Sequence, residues 1–213
     1  WKFKSVLCQA CITITISQLN QDILPSLVDH CIRMKVDKVQ FTPIHKHLSH
    51  RNMNPDIFLP LFPQNLPALK YLLRNLTNRL RKAGIYTNSK FFIDHLEYAY
   101  FPRHGIPCYA GSFAVTVSAY GDVMPCYEYP SNLNIRDMAL DRILKSSEYR
   151  QQLSRVAQCS IPCMDVGSME PSVRLHLPYI LKHPVETFQQ TALHLSCNNF
   201  RSGYSDFYEQ GFL

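Results

Sequence analysis

Two cysteines bracket a short β-hairpin in the stretch from Cys108 to Cys126, and this constrains the chain more than any other feature. Phe113, Val115 and Val117 alternate with Ala114, Thr116 and Ser118, the period of a half-buried strand. Ala119 to Asp122 reads as the turn, where Gly121 supplies a positive φ. Val123 and Met124 then run back, and Pro125 marks a strand end beside Cys126. A hairpin brings its two ends together, so Cys108 and Cys126 are expected to be neighbours in space. After a helical stretch, Cys159 and Cys163 arrive in the tight knuckle Cys159-Ser160-Ile161-Pro162-Cys163. Four thiols converging on one point is a metal-site arrangement.

The 213 residues suffice for one large domain or two small ones. A chain 46% hydrophobic and 18% charged is globular and ordinary in composition. No apolar run approaches the roughly 18 residues needed to span a bilayer, and no basic-then-apolar leader is visible at Trp1-Lys2-Phe3-Lys4. The expectation is a cytoplasmic protein without a membrane partner. The chain opens on Trp1 rather than Met, and it is read as a fragment. A net charge of +6 invites a nucleic-acid partner, but the basic residues are scattered. Only Arg79 to Lys82 cluster, as cations do at the solvated end of a helix, so no nucleic acid is expected. Eight cysteines are too few for a disulfide scaffold at this length. In a reducing compartment they are core residues or metal ligands.

The N-terminal half reads as alternating strands and helices. Cys11 to Ser17 is rich in β-branched residues and forms a strand. Asn20 or Asp22 caps a helix to about Lys35, with Ile23, Leu24, Leu27, Val28, Cys31 and Ile32 as its apolar stripe. Lys38 to Ile44 is a second strand, so the unit is βαβ and its strands are parallel. His45, His47 and His50 fall in a polar loop at a strand's carboxyl end, without the helical register that would aim them at a metal. A long helix from about Gln64 to Ala83 buries Leu66, Leu69, Leu72, Leu73, Leu76 and Leu80, and Gly84 ends it. Ile85 to Thr87 forms a short strand, and a helix follows through Phe92, Leu96 and Tyr100. Composition shifts at Pro102 to Pro107, which places a domain boundary near residue 103. After the hairpin come helices over Met138–Lys145 and Ser147–Ala157, then a tail from Met164 with helical patterns at Leu175–Leu181 and Val185–Leu195.

A lone cysteine is usually a small hydrophobe, and Cys8, Cys11, Cys31 and Cys197 are read so. Cys108, Cys126, Cys159 and Cys163 flank turns and lie beside Gly or Pro, outside any apolar period. Structural zinc would want two close knuckles, whereas an iron–sulfur cluster accepts thiolates from more dispersed segments. Both chemistries remain open on spacing alone.

The spacing Cys108, twelve residues, Gly121, four residues, Cys126, then a close cysteine pair, resembles the auxiliary-cluster domain of radical S-adenosylmethionine enzymes of the SPASM/twitch type. Cys108-Tyr109-Ala110-Gly111 is similar to that family's C-x-A-G, and Gly121-Asp122-Val123-Met124-Pro125-Cys126 to its G-x-V-x-P-C. Asn132 to Ile135 looks like its G-N-I turn, and Ile143 to Ser146 like its I-x-x-S helix. The resemblance implies an α/β chain: residues 1–103 as later βα units of a partial (β/α)6 barrel, 104–165 as a small α+β auxiliary-cluster domain, and 166–213 as a tail. It implies an auxiliary 4Fe-4S cluster on Cys108, Cys126, Cys159 and Cys163. S-adenosylmethionine would lie across the carboxyl ends of the strands, where Ser17, Gln18, Asn20, Gln40, Thr42 and His45 fall; Ser17, Asn20, Gln40 and Thr42 are the candidates taken forward. The implied complete enzyme carries a second 4Fe-4S cluster, acts on a peptide, protein or small molecule, and draws on an electron donor such as flavodoxin or ferredoxin.

Two departures stand out. The family's C-x3-C-x2-C motif for the catalytic cluster is absent from these residues. The knuckle holds three residues between its cysteines rather than two, and four ligands are the shorter, twitch-like set. A different class of function therefore stands beside the enzyme: a non-catalytic binding module stabilised by zinc on the same four cysteines.

Overall fold

The computed structural model describes residues 10–44, 59–102, 106–174, 176–185 and 187–189. Cys8, Cys197 and the histidines His45, His47 and His50 lie outside the described residues.

The first unit is built on parallel strands. Strand β1 (Cys11–Ile16) pairs with β2 (Lys38–Pro43) in the register Ile12 to Val39, Ile14 to Phe41 and Ile16 to Pro43. Helix α1 (Leu24–Met34) connects them, with Pro25 in its first turn, where a missing N–H costs little, and Lys35 closing it in the left-handed conformation. Leu24, Val28 and Cys31 are buried, while Ile23 is exposed. The expected cap at Asn20 takes another form. Its side chain does not cap the helix; Oδ1 accepts the Ser17 N–H at 2.9 Å and the amide donates to the Thr15 carbonyl at 2.7 Å, so it clamps the strand-to-helix turn.

Helix α2 (Leu66–Lys82) is capped by Asn65, whose side chain accepts the Ala68 N–H. It buries Leu69, Leu73, Leu76 and Leu80, and Gly84 follows its end at φ +74°. The basic residues of its last turn find partners within the fold, Arg79 with Asp29 and Arg81 with the Asn88 carbonyl. The expected strand at Ile85–Thr87 is reduced to one parallel bridge between Tyr86 and Lys38. Beyond it, the buried Asn88 amide takes the place of a ladder: it accepts the Phe41 N–H at 2.7 Å and donates to the Phe41 carbonyl at 3.0 Å. Helix α3 (Lys90–Asp94) is capped by Ser89.

The two faces of the sheet differ. Ile14, Ile16, Val39 and Phe41 join α1, α2 and α3 in the main core. The opposite face carries Cys11, Thr13 and Thr15 beside Lys38, Gln40 and Thr42. Cys11 is therefore exposed on a polar face and is not the core residue expected of it, because strand alternation turns it away from Ile12 and Ile14.

The second unit starts from the hairpin. Strands β3 (Thr116–Val117) and β4 (Val123–Met124) pair antiparallel, with Gly121 at φ +92° in the turn. The ladder is shorter than its alternation suggests, and Phe113 and Val117 are exposed, because only Val115 of that face reaches the small core. The Asn132–Ile135 segment folds onto β4: Val123 N–H donates to the Leu133 carbonyl at 2.7 Å and Ile135 N–H to the Gly121 carbonyl at 2.9 Å. Helix α4 (Leu140–Lys145) buries Ile143, and Ser146 then caps α5 (Ser147–Ala157) by accepting the Tyr149 N–H. This explains the Ile143-to-Ser146 spacing: one residue anchors the core and the other starts the next helix.

The tail holds one element that sequence periodicity misses. Helix α6 (Val166–Arg174) carries Pro171 inside it, which disguises the pattern. It packs against α3 and β2, and Met164 and Met169 enter the main core. Helix α7 (Leu177–Lys182) follows; residues 184–185 and 187–189 are also helical, and the rest of the expected Val185–Leu195 helix lies outside the described residues. Among the described residues, no helix is long and apolar enough to cross a membrane.

Candidate metal centre

The four cysteines come from three segments. Cys108 lies in the loop before β3, Cys126 follows β4, and Cys159 and Cys163 follow α5, with the Cys159 N–H donating to the Val156 carbonyl at 3.1 Å. Gly111 makes the first approach possible. A Cβ built there would lie 2.3 Å from the Pro125 Cβ and 2.9 Å from the Pro125 Cα, so only glycine lets the Cys108 loop press against the residue before Cys126. Gly111 also adopts φ +82°, and its carbonyl accepts the Tyr149 hydroxyl at 3.0 Å.

The sulfurs sit in a low-polarity setting. Cys108, Ala110 and Val156 form a buried cluster, with Cys126 and Tyr129 packed on it. Burial pushes the Cys126 thiol up to about 11, and the charges of Cys108, Glu128 and Cys159 add to the rise. Burial likewise pushes Cys163 up to about 12, with further contributions from Asp165, Cys126 and Cys108. All four thiols are thus linked through one another's fields. The Cys126 sulfur accepts a backbone hydrogen bond from the Glu128 N–H at 3.5 Å. The Gly111 N–H is spent on the Ala114 carbonyl at 2.8 Å.

None of the six described cysteines forms a disulfide. Among the described residues, no group of three or more His, Cys, Asp or Glu side chains is placed to hold a metal ion. The two deeply shifted thiols are protonated at neutral pH in the metal-free chain, so loading must release protons.

The strand-end candidates are placed differently. Ser17 and Asn20 bond to each other within the β1-to-α1 turn. Gln40 and Thr42 lie on the polar face of β2, opposite Thr13 and Thr15.

Sequence reasoning overlooked the helix that joins the two sites. In α6, the buried Glu170 accepts the Ser89 N–H at 2.6 Å, while Arg174 lies over the Tyr86 ring at 4.8 Å. Burial raises the Glu170 carboxyl, against the opposing charge of Arg174. Two residues on, the Ser172 hydroxyl accepts the N–H of Tyr109, next to Cys108. The available signal was Asp165 three residues before Ser168, a helix-start spacing that the structure uses at 2.8 Å.

Residues 108–165 match the family model of the SPASM iron–sulfur cluster-binding domain. No curated protein and no solved structure matches the chain.

Proposed function

We propose, from the match of residues 108–165 to the SPASM iron–sulfur cluster-binding domain, that the chain serves as the auxiliary-cluster part of a radical S-adenosylmethionine oxidoreductase or peptide- or protein-modifying enzyme. The observation that carries this reading is the match of residues 108–165 to the SPASM iron–sulfur cluster-binding domain. The residues present fit an iron–sulfur group: Cys108 and Cys126 pack together in an apolar surround of Ala110, Val156 and Tyr129, and the Glu128 N–H donates to the Cys126 sulfur. Cys108, Cys126, Cys159 and Cys163 would hold one 4Fe-4S cluster. Four thiolates leave no iron position for substrate, so the chemistry such a group supplies when bound is one-electron transfer.

The chain's own residues do the rest. Gly111 and Pro125 hold the Cys108 and Cys126 segments in contact, and Ser172 fixes Tyr109 beside Cys108. The parallel strands are read as later units of a partial barrel within residues 1–103, followed by the auxiliary-cluster domain at 104–165 and a tail at 166–213. Gln40 and Thr42 face a polar sheet surface suited to S-adenosylmethionine, with Ser17 and Asn20 shaping the neighbouring turn. The second 4Fe-4S cluster, the peptide, protein or small-molecule substrate and the flavodoxin- or ferredoxin-like donor belong to the same proposal.

The test is iron, sulfide and zinc analysis of protein purified and reconstituted without oxygen. About four irons and four sulfides per chain are expected, with a brown chromophore that Cys126→Ala loses. One zinc per chain and no colour would overturn the reading and leave a zinc-stabilised binding module.

A further inference from the structure

Helix α6 touches both units of the fold, on opposite sides. Glu170 and Ser172 are two positions apart, about 200° of turn on a helix, so they point away from each other. On one side the Glu170 Oε1 accepts the Ser89 N–H at 2.6 Å. On the other the Ser172 hydroxyl accepts the Tyr109 N–H at 2.9 Å. Its own proton goes to the Ser168 carbonyl at 2.6 Å, which fixes its direction. Both side chains are buried, as are Met169 and Val173 beside them. Pro171 lies between the two tethers. It has no N–H for the Gly167 carbonyl, so this turn of the helix has one backbone bond fewer and leans on the tethers.

Each tether ends on a residue that leads further. Tyr109 is joined directly to Cys108. Ser89 caps α3 by accepting the Phe92 N–H at 3.1 Å. Asn88, the residue before it, brackets the Phe41 N–H and carbonyl in β2, between Gln40 and Thr42 of the polar face. A run of covalent and hydrogen bonds therefore connects the Cys108 loop to that face. Breaking it at Glu170 would strand a buried N–H and a buried carboxylate oxygen together.

We infer that α6 couples the two units: filling the cluster site at Cys108 steadies the Ser89 cap of α3 and the Asn88 clamp on β2 through Ser172 and Glu170. Ser172 is the positioning residue of this device. The inference rests on the cluster reading above. Such coupling is reciprocal, so whatever steadies the polar face also favours a filled cluster site.

The experiment is hydrogen–deuterium exchange of the full chain, metal-free and reconstituted with iron and sulfide without oxygen, read by mass spectrometry. Loading should slow exchange of the Ser89, Phe92 and Phe41 amides about fivefold or more. Ser172→Ala removes the oxygen that accepts from Tyr109 and leaves the Glu170–Ser89 bond in place. In that variant, loading should slow the same amides by less than about twofold. The Tyr149 amide, capped by Ser146 within the second unit, should be slowed as in the unaltered chain. The ratio of loaded to metal-free exchange decides the matter, because a merely structural Ser172 would quicken exchange in both forms and leave that ratio alone. Equal ratios in Ser172→Ala and the unaltered chain, both with full iron and sulfide, would overturn the inference and leave the cluster reading intact. So would α3 amides that loading does not slow. Should Ser172→Ala fail to take up the cluster, Glu170→Ala, which cuts the other tether, decides alone through the Phe92 and Phe41 ratios. An unaltered chain that takes up no iron–sulfur cluster would overturn the cluster reading itself.

Discussion

Replacing Gly111 with alanine strikes the contact on which the metal centre depends. The new Cβ would lie 2.3 Å from the Pro125 Cβ, 2.7 Å from the Leu153 Cδ2 and 2.9 Å from the Pro125 Cα, at φ +82°. Two costs add. A left-handed backbone costs an L residue about 1–2 kcal/mol. Forcing a methyl group into a packed contact costs about 1–3 kcal/mol more, and here one obstacle is backbone rather than the end of a flexible side chain. The sum is about 2–5 kcal/mol, a large share of the roughly 5–15 kcal/mol that holds a protein folded. Gly84→Ala isolates the first cost. Its φ is +74° and nothing lies within 4 Å of a Cβ there, so it should lose only about 1–2 kcal/mol. Urea unfolding of the unaltered chain and both variants, metal-free and reconstituted, measures the difference. Gly111→Ala should also retain less iron, since Pro125 adjoins Cys126. If Gly111→Ala costs no more than Gly84→Ala and keeps its full iron, the argument that the Pro125 approach demands glycine is wrong.

Asn88→Ala should cost about 2–4 kcal/mol by urea unfolding, because it strands the buried Phe41 N–H and carbonyl together; a loss below about 0.5 kcal/mol would mean that the amide bridge is energetically idle. The metal-free chain should lose stability as pH climbs from 9 toward 12. Cys126 and Cys163 are raised from 9.0 to about 11 and about 12, so the folded chain keeps protons there that the unfolded chain releases. Thermal melts at pH 8 and 10.5 should show a smaller fall in a Cys126→Ser, Cys163→Ser double variant, and an equal fall would refute the assignment.

Much of this molecule was legible because its signals are local. The Leu69, Leu73, Leu76 and Leu80 spacing makes a helix wherever it folds, and Gly84 ends it for want of a Cβ. The β1 and β2 strands declare themselves by β-branched residues, and a connection through α1 leaves them parallel. Gly121 marks its turn for the same local reason. The hairpin strand misled because alternation reports the pleat, not whether a partner surface covers it. Cys11 misled in the same way, since one residue of phase separates the core face from the polar one.

The chain by itself determined which residues could be ligands: the spacing of Cys108, Cys126, Cys159 and Cys163, and the Gly and Pro beside them, are covalent facts that restrict the backbone on either side. Tertiary structure decided what those residues became. It brought the Cys108 loop onto Pro125 through Gly111, aimed the Glu128 N–H at the Cys126 sulfur, and returned α6 to the sheet so that Glu170 reaches Ser89 while Ser172 reaches Tyr109. Glu170 and Ser89 are far apart along the chain. Their contact exists because a buried carboxylate and a buried N–H each need a partner that nothing local supplies, and only packing brings them within reach.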